Sequence, residues 1–135
     1  MSPKAQRITG WFLTGLVGLF MIGVSGAPKF FEFPGKNEMM EKMGIPLSLL
    51  PMLAVVEIAV TVIYLIPRCS FLGAILMTGY LGGAVFTHLR VGDPWFFPII
   101  VGAIAWIGLA LRQPVIFKLA LGLPEPRIPT QGEPQ

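Results

Sequence analysis

The chain has 135 residues, of which 54% are apolar and only 13% charged, with a formal net charge of +3. An ordinary soluble domain carries about 25% charged residues, and a domain this short leaves too much surface in water to hide so many apolar side chains. Composition therefore argues against a soluble, disordered or collagen-like chain, and basic residues scattered at segment ends are a poor nucleic-acid footprint; what remains is a one-domain integral membrane protein whose partner is the lipid bilayer, with a mean hydropathy of +0.74.

In chain order, residues 8–28 carry no charge and are long enough to cross a bilayer as a helix. Lys4 and Arg7 before this run and Ser25-Gly26-Ala27 at its end also fit a signal peptide. The run exceeds the roughly 7–15 residues of a signal's apolar core, and Pro28 would follow the cut directly, so a retained helix is expected. The first connection, residues 29–44, is long. Phe30, Phe31 and Phe33 suit the membrane interface. From Asn37 a short amphipathic helix is predicted, with Met39, Met40 and Met43 on one side and Gly44 ending it, lying at the membrane surface. Residues 45–67 form the second predicted span, with Glu57 inside it; Pro51 either kinks this span or the regular helix starts near Ser48.

Pro67-Arg68 is so short a link that the second span and the third, residues 69–89, must form a tight hairpin. After Arg90-Val91-Gly92, Asp93 is expected to cap a fourth span, residues 94–111, that begins at Pro94. Residues 115–121, interrupted by Lys118, are too few to cross and read as a surface-lying stub. Residues 123–135, with four prolines, read as an extended, disordered tail. The expected fold is all-α: an integral membrane four-helix bundle, antiparallel and up-and-down, over residues 1–122, with a short interfacial helix in the first loop. Lys4, Arg7, Arg68, Arg112, Lys118 and Arg127 fall on one side and Lys29, Lys36, Lys42 and Arg90 on the other, a bias that puts both termini in the cytoplasm.

Small residues recur on the spans: Gly79 and Gly83 on the third, Thr14 and Gly18 on the first, Gly102, Ala105 and Gly108 on the fourth. They fit close packing within one bundle, which is the expectation, or a homo-oligomer interface.

Glu57 is the sharpest chemical feature. By helical rise it lies about 14 Å from the nearer end of its span, close to mid-bilayer. A charged acid there costs at least about 2.5–3.5 kcal/mol on insertion scales, which makes it a functional candidate by default. The plainer alternative is a protonated acid acting as structural hydrogen-bond glue. Depth counting places Thr78 and Tyr80 of the third span near its level, Thr61 and Tyr64 follow it on its own helix, and Thr14 sits slightly lower. Together these can form a polar nest for a quinone carbonyl, a proton or an ordered water. No lysine or arginine in the other spans reaches that depth, so Glu57 is expected to be protonated at pH 7. His88 lies about 14 Å above it, near Lys29 at the opposite interface. It suits a proton relay or a ligand contact at a pocket mouth, or simply a headgroup contact. One histidine without a nearby cysteine makes a poor metal site, and no metal is expected.

Several of these residues, in order, resemble the DoxX-like membrane proteins: Pro28-Lys29-Phe30, Gly44-Ile45-Pro46, Val56-Glu57-Ile58, Ile66-Pro67-Arg68, and the run from Gly83 to Arg90 that contains Thr87-His88. The resemblance covers roughly residues 8–112. It implies a four-helix transmembrane bundle loosely associated with quinone-linked respiratory or thiosulfate oxidation. The family's arrangement is also similar to that of the vitamin K epoxide reductases, but those work by paired cysteines and this chain has Cys69 alone. The functional expectation is a redox-associated protein of the bacterial inner (plasma) membrane that binds a quinone or another small hydrophobic molecule. Glu57 and Tyr80 would be its polar anchors and His88 with Lys29 would lie near the mouth. It would act as an oxidoreductase component or as an accessory subunit to a redox partner protein. The alternative is a small proton-coupled transporter.

Overall fold

A computed structural model describes residues 1–124, and every described regular element is helical. The predicted tail falls almost wholly outside the described residues. The first helix, α1, runs Pro3–Gly18, with Ser2 accepting from the Ala5 amide at 3.2 Å as its N-cap. It continues without a break as a π-helical stretch, Leu19–Gly26, and a 3₁₀ turn, Ala27–Phe30. The whole rod, Pro3–Phe30, has 28 residues, about 42 Å of helix against a hydrocarbon layer of about 30 Å. It begins and ends beyond the predicted 8–28 because Ser2 and Pro3 start the helix and the 3₁₀ turn carries it on to Phe30.

α2, Lys36–Met43, is the predicted short helix. Gly35 (φ 81°) precedes it and Gly44 (φ 67°) terminates it, both in the left-handed conformation that glycine adopts at little cost. Met40 and Met43 are buried against Leu50, whereas Met39 stays partly exposed. A 3₁₀ turn, Leu47–Leu49, leads into α3, Leu50–Leu65, which places Pro51 in the first turn rather than at a kink. α4 is Ser70–Arg90 and α5 is Phe96–Arg112. The expected Asp93 cap is not formed. α5 starts at Phe96 without a side-chain cap, because the Asp93 carboxylate is instead taken by Lys42 at 2.5 Å. α6, Pro114–Ala120, turns away from α5 by 111°.

Pro3–Phe30, Leu47–Leu65 and α4 are each long and apolar enough to cross a membrane, and α5 with α6 makes a fourth candidate if the bent pair is one span. α1 packs along α5, α3 folds back on α4, and α4 lies on α5. The α3–α4 hairpin is as tight as its short link demands. A Cβ on Gly73 would stand 2.2 Å from the Tyr64 amide nitrogen, so the backbones meet at that point and only glycine fits. Gly10 does the same for α1 and α5, where it leaves room for Arg112, whose guanidinium lies 4.4 Å from the Trp11 ring centroid.

Gly79 and Gly83 behave differently from the expectation of helix packing. A Cβ on either would meet nothing within 4 Å, so that face of α4 borders open space. Inside, Met21, Tyr64, Met77 and Leu109 form the centre of the core. Outside, large apolar side chains such as Phe12, Leu19 and Ile99 are exposed along the helices, a surface that lipid rather than water covers.

Candidate functional site

The π-helical stretch sets up the site. Its widened turns bring Ser25 and Lys29 to the side of the rod that faces α3, and π segments often occur where a helix serves a site. Lys29 Nζ donates to the Ser25 carbonyl at 2.8 Å, to Ser25 Oγ at 3.0 Å and to Glu57 Oε2 at 2.5 Å. Tyr80 Oη, from α4, donates to the same Glu57 oxygen at 2.9 Å. Glu57 is 1% exposed and the Lys29 side chain 21%.

Glu57 is therefore not the isolated acid that depth counting expects. Lys29 is rooted near the interface, but its flexible stem carries the ammonium inward to the carboxylate. Counting depth by Cα position missed that reach. The charge that would be costly alone is matched by an opposite charge and a phenolic donor.

The wider polar nest is divided. Thr61 Oγ1 donates to the Glu57 carbonyl at 2.7 Å, Thr78 Oγ1 to the Ala74 carbonyl at 2.7 Å and Thr14 Oγ1 to the Gly10 carbonyl at 2.8 Å. Each threonine answers the carbonyl four residues back on its own helix, the nearest acceptor in a place without water. Tyr64 lies two turns beyond Glu57; its hydroxyl donates to the Ala105 carbonyl at 2.8 Å and lies 3.3 Å from Thr14 Oγ1. Thr78 also accepts from Trp106 Nε1 at 2.9 Å. Of the candidates named from sequence, Glu57, Tyr80 and Lys29 come together, and Thr61, Tyr64 and Thr78 turn elsewhere.

The three lie on the wall of a cavity of about 600 Å³. The rod contributes Phe20, Met21 and Val24; α5 contributes Phe97 and Val101; α2 contributes its three methionines. Phe20 and Phe97 meet edge to face at 5.4 Å. Gly79 and Gly83 line the cavity from α4, and their missing side chains keep that wall clear. His88 also lines it; its Nδ1 is buried, without a hydrogen-bond partner among the described residues, and 3.9 Å from Asp93 Oδ2. Lys29 does not share His88's place at the end of α4, because its ammonium has gone to Glu57.

Two participants escaped sequence reasoning, Ser25 and Lys36. Ser25 stands four residues before Lys29, a spacing that signals a shared helical face. Lys36 opens α2, is buried, and lines the cavity. Composition gives no cue for a buried lysine at the head of a short amphipathic helix.

Long apolar helices with an apolar outer surface, enclosing a chamber with a charged pair in its wall, define an integral membrane protein of the small helical class. The model of the DoxX-like family matches residues 12–108, and the chain belongs to that family. Neither a curated protein nor a solved structure matches it.

Proposed function

We propose that the chain binds a small hydrophobic molecule with a hydrogen-bonding oxygen, a quinone being the type case, in the chamber between the rod, α3, α4 and α5. One observation carries this reading: the buried Lys29–Glu57–Tyr80 array opens onto a cavity otherwise walled mainly by apolar side chains. Binding sites for small molecules have this composition, with much apolar wall and a few placed polar groups. A ligand carbonyl accepts from Lys29 or Tyr80 only in exchange for one of their present bonds, since the three Lys29 protons go to Ser25 and Glu57 and the single Tyr80 proton to Glu57; Glu57 orients both. In this role the protein is a redox-associated membrane component or accessory subunit of the bacterial inner membrane. The rod, α3, α4 and α5 are its four antiparallel spans, α2 lies in the interface, and both termini are cytoplasmic.

The Lys29–Glu57 contact favours binding over proton-coupled transport, since a carrier cycling protons on Glu57 would have to break that contact in every cycle. The test is purification in mild detergent followed by mass spectrometry of extracted small molecules. The wild-type protein should release a quinone or comparable apolar molecule, and Gly83→Leu, which projects a side chain into the chamber, should not. Identical extracts from the two would overturn the reading, and flux driven by a pH gradient in liposomes would replace it with transport.

A further inference from the structure

The chamber wall carries more positive than negative charge. Among the described residues its charged side chains are Lys29, Lys36 and Glu57, with His88 beside them. Lys29 and Glu57 neutralise one another, which leaves Lys36. The Lys36 side chain is only 7% exposed, and lysine is almost never so buried without a partner. Its ammonium donates to the Phe31 carbonyl at 2.8 Å, with longer contacts to the Lys29 carbonyl at 3.5 Å and to Glu32 Oε1 at 3.4 Å. It also stands 5.9 Å from the Phe33 ring centroid.

Carbonyls and a ring face satisfy hydrogen bonds but do not cancel a net charge. Glu32, the carboxylate in reach among the described residues, is 85% exposed, and a long contact to a solvated acid compensates little. Asp93 is occupied by Lys42 and does not line the chamber. Beside Lys36 on the wall lie Met39, Met40, Met43 and Leu50, a flexible apolar bed.

Resting on the binding reading above, we infer that the ligand is a monoanionic amphiphile, its single carboxylate seated at Lys36 and its apolar body in the chamber. A cavity of about 600 Å³ suits a body of drug-like size rather than a diacyl lipid. The Glu57 end does not repel such a head, because that carboxylate is already capped by Lys29 and Tyr80.

The test uses the full chain in nanodiscs at pH 8, with radiolabelled dodecanoate and its neutral counterpart dodecanol as probes and empty nanodiscs as blank. Wild type should bind dodecanoate at least tenfold more tightly than dodecanol. Lys36→Gln should bring dodecanoate down to the level of the alcohol while leaving dodecanol binding unchanged, and Lys36→Arg, which keeps the charge, should retain the preference. Equal affinities in wild type would overturn the anionic head while sparing the chamber. So would a preference that survives Lys36→Gln. Binding of neither probe by wild type, or binding of both that Gly83→Leu leaves intact, would remove the chamber itself and the inference with it. Should Lys36→Gln disturb the loop and lose both probes, the wild-type ratio and Lys36→Arg decide.

Discussion

Lys29 and Glu57, 28 residues apart in sequence, hold their ammonium and carboxylate groups 2.5 Å from one another where the rod meets α3. Removing one partner of a buried pair leaves an uncompensated charge, a loss of about 3–5 kcal/mol, whereas replacing both with apolar groups is often near neutral. Lys29→Met alone should therefore lower thermal stability in detergent sharply, and Lys29→Met with Glu57→Leu should recover most of it. Additive losses in that double-mutant cycle would show that the two groups are not coupled.

Tyr80→Phe removes one of the two hydrogen bonds on Glu57 Oε2 and leaves the ring in place. A hydrogen bond to a charged group contributes about 1.5–3 kcal/mol, so a loss in that range on denaturant titration is expected, together with weaker retention of the extracted ligand. Retention equal to wild type would place Tyr80 outside the binding contacts.

Glycines on α4 should split into two kinds. Gly73→Ala would drive a methyl into the Tyr64 backbone and must push α3 from α4, so the hairpin should fail to form properly. Gly79→Ala meets open space and should stabilise the helix by about 0.5–1 kcal/mol. Similar melting temperatures for the two variants would contradict the close crossing at Gly73.

Asp93 gives a pH dependence outside the spans. The hydrogen bond from Lys42 holds its carboxyl below the usual aspartate value of 3.8. A depressed folded-state value means that its contribution to docking α2 is fully present above that pH and is lost as pH falls through the lower, folded-state value. Hydrogen exchange over Lys36–Met43 should be flat from pH 7 to 5 after correction for intrinsic rates, and should rise only in stronger acid. Asp93→Asn should show fast exchange throughout. An identical profile for Asp93→Asn would remove the Lys42 contact from the account of how α2 is held.

The proposed orientation, with cytoplasmic termini, would put Cys69, which is exposed, on the inner side and Asn37 on the outer. An impermeant thiol reagent on sealed cells should label a cysteine introduced at Asn37, and should leave both Cys69 and a cysteine at Ser2 untouched. Labelling of Ser2 would invert the orientation.

The apolar runs, the tight link at Pro67-Arg68 and the stop at Gly44 were legible because each follows from local composition or backbone freedom. Glu57 and Tyr80 were paired correctly by depth along neighbouring helices. Lys29 was placed with His88 at the mouth instead of at Glu57, because depth counting follows Cα atoms while a lysine stem carries its charge several ångströms away. The threonines were drawn into one nest because counting supplies height but not rotation, and each hydroxyl turned to its own helix instead. Asp93 looked like a cap from its position before Pro94, and lost that role to a lysine 51 residues away.

The π-helical stretch Leu19–Gly26 makes the rod tolerant of a lost residue at one place. Such a stretch accommodates a surplus residue that an α-helix of the same rise would lack. Deleting one residue within it would let the rod wind as a regular α-helix with the turns on either side keeping their faces, so that Lys29 still reaches Glu57, whereas the same deletion within α1 would turn the residues before it by about 100° relative to the site. A single-codon deletion would thus spare the charged pair inside this stretch and break the seam of α1 with α5 outside it, while leaving every span as apolar as before.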